Sequence, residues 1–321
     1  MRVAVLSGGR SSEHDVSLRS GASVARGLEA AGHEVVAVTI GRDGRWLSDG
    51  SPVELAPATG LLGAGAVFPA LHGPFGEDGS VQGLLEGLDV PYVGSDVLAS
   101  AICMDKLTLK RLFAERGIPQ VDFAAAGEDG WRRRCEAMGL PLWVKPSRLG
   151  SSVGISRVAE LVELDAAVEL ALRHDPRVIV EASARGREIE CSVLGNESPL
   201  TSLPGEIVAN AEWYDFEAKY EQGGMELRVP APISDPEAAR VRELAASTFA
   251  LAGCSGLARC DFFVEPGGKV LVNEINTMPG FTETSVYAKL LEASGIAYAD
   301  LCDRLVELAV ERHRRARSYE F

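Results

Sequence analysis

The sequence has no apolar run long enough to cross a membrane, and the apolar run at its start, residues 3–6, has only four side chains. A bilayer-spanning helix needs about 20 apolar residues, and the core of a secretory signal needs about 7 to 15. We therefore predict a soluble, cytoplasmic protein that has no membrane partner.

The cysteines show neither CxxC spacing nor the Cys/His spacing of metal sites. There are six: Cys103, Cys135, Cys191, Cys254, Cys260 and Cys302. A disulfide framework or a cysteine metal site is therefore disfavoured, and we expect buried free thiols.

Positive charge is also scarce, with 32 Lys and Arg against 46 Asp and Glu, a net charge of -14. Nucleic-acid binding draws much of its affinity from clustered basic side chains, so a nucleic-acid partner is not expected. Small anions remain compatible with this charge, because a few local cations can hold them.

The usual phosphate-binding fingerprints are missing. Neither GxxxxGK[ST] nor GxGxxG occurs, which excludes the usual P-loop and disfavours a dinucleotide site. An oxidoreductase is suggested only by the βαβ pattern at the N-terminus, and the missing glycine fingerprint counts against it.

What is present is an alternation of strands and helices in the first 95 residues. Residues 2–7 and 33–40 have the pattern of buried strands, and the segment between them is an amphipathic helix closed by Gly32. The pattern continues through "AVFPAL", a helix near "SVQGLLEGL" and "VPYVG". This order predicts a parallel sheet.

The rest of the chain has the pattern of two α+β units. We predict an N-terminal α/β domain over 1–95, a central domain over 96–185 and a C-terminal domain over 186–321. The central domain begins with a helix, "AICMDKLTLKRLFAERG". The C-terminal domain contains a polar mobile loop at about 205–224, a helix at about 235–252, a hairpin and a terminal helix.

Carboxylates and an amide gather on the predicted hairpin "GLARCDFFVEPGGKVLVNEINT". Alternation puts Arg259 with Asp261 and Glu274 with Asn276, and a four-residue turn makes the two faces coincide. Adjacent carboxylates need a positive charge between them. Mg²⁺ fits this all-oxygen set, although Arg259 neutralising Asp261 on a solvated face is an equal alternative.

Phosphate ligands are available elsewhere in the chain. Lys145 precedes the Gly/Ser-rich loop of "VKPSRLGSSVG", whose backbone amides can approach phosphate oxygens, and Lys106 offers a second cation. Each signal alone is equally typical of a surface lysine or an ordinary turn.

Six segments, taken together, resemble the D-alanine:D-alanine ligases of the ATP-grasp superfamily. They span nearly the whole chain in order: "GGRSSEHDVSLRSG", "LHGPFGEDGSVQGLL", "VGSDVLASAICMDK", "VKPSRLGSSVGIS", "DFEAKY" and "NEINTMPGFTETS". The resemblance implies a three-domain ATP-grasp architecture with the nucleotide between the central and C-terminal domains. It also implies ATP-dependent joining of two D-alanines for peptidoglycan and cell-wall synthesis, through a D-alanyl phosphate.

The resemblance further assigns ligands for ATP and metal. Two Mg²⁺ ions, or Mn²⁺, would bind Asp261, Glu274 and Asn276. The ATP phosphates would contact Lys106, Lys145 and Ser151, and the adenine and ribose would contact Glu181 and Glu188. The chain departs from the family at the hinge, where Ala182 and Ala184 are smaller than expected, so Glu181 and backbone groups would carry adenine recognition.

The same resemblance assigns the amino-acid sites. Glu13 would bind the ammonium of the first D-alanine, and His72 would lie near its carboxylate. Arg259 and the Gly280 amide would stabilise the tetrahedral oxyanion, with a small residue required after Pro279. Ser285 and the Val286 amide, at a helix start, would bind the second carboxylate. Without the resemblance, Glu13 and Ser285 are typical helix-start residues, and a lone histidine is typically structural.

The mobile-loop motif bears on the second substrate. In this family, ligases that make D-Ala-D-lactate generally lack the Lys-Tyr pair found here as Lys219 and Tyr220, so an amine acceptor is favoured. Loop closure would exclude water and bring Tyr220 to Glu13 and Ser151. D-Lactate or D-serine as acceptor, and a catalytically silent nucleotide-binding module, are the alternatives. A homodimer is implied only by the resemblance.

Overall fold

The first sheet lies at the N-terminus of the computed structural model, which describes residues 1–150, 153–209 and 225–320. Its strand order is 4-3-2-1-5, and strand 1 is parallel to strands 2 and 5. Strands 3 and 4 add an antiparallel edge. The strands are β1 (Arg2–Gly8), β2 (Glu34–Ile40), β3 (Trp46–Ser48), β4 (Ser51–Pro52) and β5 (Ala66–Pro69).

Helices α1 (His14–Ala30) and α2 (Ser80–Gly87) follow β1 and β5. The prediction of parallel strands joined through helices is confirmed, and Gly32 has a positive φ of 84° just after α1. The predicted strand "VPYVG" is reduced to one bridge, between Tyr92 and Val67.

The second sheet is antiparallel, with order 6-9-7-8. Its strands are β6 (Phe123–Ala125), β7 (Leu142–Pro146), β8 (Ser156–Val158) and β9 (Val178–Ala182). The helices of this region are α3 (Val97–Met104), α4 (Lys106–Glu115), α5 (Trp131–Met138) and α6 (Leu164–Leu172), with a short 3₁₀ helix at Leu161–Glu163.

The single helix predicted across "AICMDKLTLKRLFAERG" is wrong, because Asp105 divides it. Asp105 has an extended ψ of 97°, ends α3, and caps α4 by accepting a hydrogen bond from the Thr108 amide. Its carboxylate also accepts a hydrogen bond from the Ser147 hydroxyl, at 2.8 Å. A contact distant in sequence therefore fixes the break.

The third sheet is antiparallel, with order 13-12-10-14-15 and β11 paired to β10. Its strands are β10 (Arg187–Gly195), β11 (Leu200–Thr201), β12 (Gly205–Ala209), β13 (Met225–Arg228), β14 (Gly256–Val264) and β15 (Val270–Asn276). The helices are α7 (Asp235–Leu251), α8 (Val286–Ala293) and α9 (Tyr298–Ala316).

The mobile loop predicted at about 205–224 starts too early, because β12 occupies residues 205–209. Hydrogen bonding to β10 and β13 holds this segment in the sheet. The remainder of the predicted loop, 210–224, lies outside the described residues.

The apolar cores join the three sheets. Phe68 of β5 packs with Phe281 and with residues of α9 in one buried cluster. Phe113 of α4 packs with Phe262 of β14 in another. Helices α3 and α4, assigned by sequence to the central domain, thus also bury side chains against the third sheet. The division at 95 and 185 stays a prediction.

The predicted fate of the cysteines is confirmed, because all six are free and buried. Across 1–150, 153–209 and 225–320, the structure has no helix with the length and apolarity needed to span a bilayer.

Candidate active site

The hairpin of β14 and β15 aligns the predicted carboxylates. Asp261 is directly opposite Glu274, and Arg259 is directly opposite Asn276. Residues directly opposite on antiparallel strands share a face. The predicted convergence of these side chains on one face is therefore confirmed.

A bulge, which the sequence did not reveal, produces this alignment. The connection covers residues 265–269, five rather than four, and pairs Val264 with Val270. That register would have placed Glu274 on the opposite face from Asp261. The pairing shifts between Asp261 and Phe262, which leaves Asn273 as the extra residue and returns Glu274 to the face of Asp261.

Arg259 is surrounded by acids. Its Nε and Nη2 donate to the two oxygens of Asp261, both at 2.7 Å, and its Nε lies 2.9 Å from Glu190 on β10. Burial opposes its charge, but Asp261 and Glu190 outweigh burial and raise the pKa of Arg259. The arrangement expected from neutralisation of Asp261 by Arg259 is thus present in the structure.

The donor chemistry of Asp261, Glu274 and Asn276 fits a hard cation. The described residues contain no group of three or more His, Cys, Asp or Glu that could hold a metal by themselves. An ion here would need the Asn276 amide oxygen, which already accepts a hydrogen bond from the Met278 amide, and oxygens from a ligand. That composition is typical of Mg²⁺ bound with a phosphate group.

Lys106 and Lys145 lie near these acids. Lys106, the first residue of α4, places Nζ 2.8 Å from the Leu149 carbonyl and 3.7 Å from Glu274. The Ser147 carbonyl accepts from the Lys106 amide, and the Ser147 hydroxyl from the Leu107 amide. This junction ties the start of α4 to the end of β7, the strand that carries Lys145.

Glu181, at the end of β9, is held between two lysines. Its Oε2 lies 2.5 Å from Lys145 Nζ and its Oε1 lies 3.2 Å from Lys110 Nζ. Burial favours the neutral acid, but the charges of the two ammonium groups outweigh this effect and lower the pKa of Glu181 to about 2. The pKa of Lys145 is raised despite burial, chiefly by Glu181.

Glu13 lies at the start of α1, where it is the residue before the first helical turn. It is buried, and its carboxylate lies so close to Gly73 that a Cβ there would come within 2.5 Å of Oε2. Gly73 also has a positive φ of 71°. A glycine is therefore required where the "HGPFGEDG" turn passes Glu13.

His72 uses both ring nitrogens within the protein. Nδ1 donates to the Met278 carbonyl at 2.9 Å, and Nε2 accepts from the Ser20 hydroxyl at 2.9 Å. Burial lowers the pKa of His72, in agreement with this neutral tautomer. His72 thus links α1 to the segment after β15, as a structural histidine would, and its binding of a donor carboxylate stays a prediction.

Glu77 is a second buried acid near Glu13. Its Oε1 accepts from the Gly73 amide at 2.8 Å. Burial, followed by the nearby charge of Glu13, raises the pKa of Glu77 to about 8. At neutral pH it therefore carries a proton, which avoids a second negative charge beside Glu13.

The turn after β15 leads into α8; the sequence left Thr284 and Ser285 as candidates for its cap residue, and the structure has Ser285 there. The Ser285 hydroxyl does not cap the helix amides; it accepts from the Thr282 amide at 2.9 Å. A Cβ on Gly280 would make only ordinary contact with it, at 3.5 Å. Packing within the chain therefore gives no reason for a small residue at position 280, and this requirement stays a prediction.

Three predicted site residues, Ser151, Lys219 and Tyr220, lie outside the described residues. The other predicted positions are described, including exposed Glu188 on β10, whose charge helps to raise the pKa of Lys145. Val286 is the buried first residue of α8.

Sequence reasoning missed three charged residues near the site. Lys110 and Glu190 had detectable signals: Lys110 lies one helical turn after Lys106, and Glu190 shares its strand face with Glu188. Glu77 stood within a quoted motif, but its burial was not visible in the sequence.

Comparisons with known proteins give matches over nearly the whole chain. A family model described as D-ala D-ala ligase C-terminus matches residues 112–307, and one described as D-ala D-ala ligase N-terminus matches residues 2–61 and 53–95. The chain is 45% identical to the D-alanine--D-alanine ligase of Solibacter usitatus, across 100% of this chain and 99% of that protein.

Two solved structures are similar over nearly their whole length. The D-alanine-D-alanine ligase from Coxiella burnetii has a TM-score of 0.90 and 37% identity, covering 99% of this chain and 96% of that one. The VanG D-Ala:D-Ser ligase from Enterococcus faecalis has a TM-score of 0.87 and 33% identity, covering 96% and 99%. The family matches and the full-length identities agree, and the chain belongs to the D-ala D-ala ligase family.

Proposed function

We propose that the protein joins two D-alanines to D-alanyl-D-alanine at the expense of ATP, for peptidoglycan synthesis. The observation that carries the proposal is the row of Asp261 and Glu274 on adjoining strands, with Lys106 3.7 Å from Glu274. An acid pair beside cations suits a metal-bound triphosphate.

The nucleotide would lie between the second and third sheets. Lys106, Lys145 and Ser151 would hold its phosphates, and Glu181 and Glu188 would lie toward its adenosine. Asp261, Glu274 and Asn276 would hold two Mg²⁺ ions, or Mn²⁺, which when bound would neutralise phosphate charge. The divisions at 95 and 185 would mark the domains that enclose the site.

The first D-alanine would bind beside Glu13, whose carboxylate suits an ammonium group. The carboxylate of this D-alanine, near His72, would attack the terminal phosphate of ATP and form an acyl phosphate, with ADP leaving. Arg259 is well suited to assist, because Asp261 and Glu190 hold it in place and its raised pKa keeps it charged. Its charge would offset the repulsion between two anions.

The amine of the second D-alanine would then attack the acyl carbon, and inorganic phosphate would leave. The Arg259 guanidinium and the Gly280 amide would stabilise the tetrahedral oxyanion. Ser285 and the Val286 amide, at the start of α8, would bind the acceptor carboxylate. Lys219 and Tyr220, from the 210–224 segment, would complete the site and exclude water.

D-Serine is a second candidate acceptor, because the similar Enterococcus faecalis structure is a D-Ala:D-Ser ligase. The Lys-Tyr pair at 219 and 220 argues against D-lactate but does not separate two amine acceptors. We further propose a homodimer that works in the cytoplasm.

Phosphate release from ATP with Mg²⁺ tests the proposal. D-Alanine should stimulate release and L-alanine should not, and mass spectrometry should detect D-alanyl-D-alanine. D-Serine and D-lactate, each added with D-alanine, test the other acceptors by the mass of the product. Ester formation needs no deprotonated amine, so its pH dependence should differ from that of amide formation. Absence of stimulation by D-alanine would refute the assignment.

A further inference from the structure

One carboxylate lies between two lysines in the group formed by Lys110, Glu181 and Lys145. Each oxygen of Glu181 faces a different ammonium group, Oε1 toward Lys110 at 3.2 Å and Oε2 toward Lys145 at 2.5 Å. Burial lowers the pKa of Lys110, but the charge of Glu181 opposes this effect, so the ion pair favours the charged form of Lys110 beside the site proposed for a triphosphate.

The two lysine side chains differ in their exposure to solvent. The side chain of Lys145 is 17% exposed, whereas those of Lys110 and Glu181 are 2% and 3% exposed. Lys110 Nζ forms no hydrogen bond among the described residues, so the ion pair with Glu181 is its main stabilising contact. Lys145 can exchange partners with a ligand, and Lys110 cannot.

Nucleotide binding would disturb this group. Phosphate oxygens that attract Lys145 would weaken its 2.5 Å bond to Glu181. A buried carboxylate that loses its counter-ion is strongly destabilised. A second, sealed cation on the other oxygen removes that cost.

We propose that Lys110 is a positioning residue of the nucleotide site, which balances the charge of Glu181 and so frees Lys145 to bind phosphate. This inference rests on the proposed function. Lys110 does not touch the nucleotide; it acts through Glu181. The second negative group near Lys110, Glu274, is one that a metal ion would share, so it cannot replace Glu181 as the partner of Lys110.

Calorimetric binding of ADP, without D-alanine, tests the inference separately from catalysis. The Lys110→Met variant should bind ADP at least about tenfold more weakly than the unchanged protein, since loss of one partner from a buried ion pair is costly. Lys110→Arg should restore affinity to within about threefold, because it keeps the charge. Lys269→Met is the matched control, since Lys269 forms an exposed ion pair with Glu265, and its affinity should not change.

The double variant Lys110→Met with Glu181→Gln separates a specific role from general damage. With the carboxylate gone, loss of Lys110 should change ADP affinity by less than about twofold relative to Glu181→Gln alone. If Lys110→Met does not fold, this comparison and Lys110→Arg still decide. A full loss in the Glu181→Gln background, or unchanged affinity in folded Lys110→Met, would overturn the inference.

Failure of the proposed function would look different. If the unchanged protein binds no ADP, the nucleotide site itself is wrong. If it binds ADP but D-alanine does not stimulate phosphate release, only the substrate assignment fails. Weaker binding in Lys110→Met would then still support the role of Lys110.

Discussion

At the scale of single residues, the acids of the site differ in how their charge is managed. Asp261 is held by Arg259, Glu181 by two lysines, and Glu77 by keeping its proton. The same carboxyl group is therefore charged in one place and neutral in another. Burial and the nearest charge decide which.

We expect Asp261→Asn to lower turnover at least about a hundredfold. Mutation of residues that only support a metal ligand already lowers metal affinity or activity by up to that factor. The fold should survive, since Arg259 keeps Glu190 at 2.9 Å. Steady-state kinetics and thermal unfolding measure the two effects.

Glu274→Gln should behave in the same way. Asp300→Asn, on the exposed face of α9, is the control and should change neither activity nor stability. Loss of the folded state in both site variants would indicate a structural role for this acid pair instead.

Glu77 gives a prediction for pH. Its pKa is about 8 in the folded protein against an ordinary value of 4.5, so the folded state holds a proton that the unfolded state releases between these values. Stability should therefore fall as pH rises through this window and level off above it.

The Glu77→Gln variant has no titrating carboxyl group at this position, so it lacks this pH dependence of stability. The free energy of unfolding of the variant, minus that of the unchanged protein, should increase with pH between about 5 and 8, by up to ~1.4 kcal/mol per unit. Urea denaturation at three pH values measures it. A difference that stays constant with pH would show that Glu77 does not titrate as described.

At the scale of elements, the bulge in β15 determines which face carries Glu274. Deletion of Asn273 should remove the bulge but keep Glu274 directly opposite Asp261, because the pairs Phe262–Val272 and Asp261–Glu274 then follow one another, so measurable turnover should be retained. Insertion of one alanine between Asn273 and Glu274 should move Glu274 to the opposite face, so that catalysis is lost and stability falls. Equal phosphate release by the deletion and the insertion variants would contradict the importance of this register.

The junction of α4 and β7 gives a second prediction at this scale. Asp105 caps α4 and forms a salt bridge with Arg177 at 2.8 Å while it is buried. Asp105→Ala should cost about 3 kcal/mol of stability, because the cap, the hydrogen bond from the Ser147 hydroxyl and an ion pair to half-exposed Arg177 are lost together.

Asp96→Ala is the matched control for Asp105→Ala. Asp96 caps α3 through the Ala99 amide alone and should cost about 1 kcal/mol. Urea unfolding measures both variants. Similar losses would show that the capping bond alone explains Asp105.

Much of the local structure could be predicted from sequence. Continuous apolar runs located β1 and β2, and alternation located the β14–β15 hairpin. The break at Asp105 could not be predicted, since it depends on the contact with Ser147, which is distant in sequence. No sequence pattern marked the bulge at Asn273. Lys110 was missed because its position one turn after Lys106 shows that the two lysines share a helix face, but only tertiary packing shows that Lys110 is buried.

At the scale of the whole molecule, the candidate site draws groups from all three sheet regions. Glu13 follows β1, Lys145 lies on β7 and Asp261 lies on β14. Shared cores join these regions, as the packing of Phe68 with Phe281 and of Phe113 with Phe262 illustrates. The geometry of the candidate site therefore depends on packing between sheets as well as within them.

A crystal grown with Mn²⁺ and ADP, recorded for the anomalous signal of manganese, tests the central claim most directly. The account predicts Mn²⁺ within about 2.3 Å of oxygens of Asp261 and Glu274, with the ADP phosphates between them and Lys145. Bound ADP elsewhere in the molecule, or manganese away from both carboxylates, would contradict it.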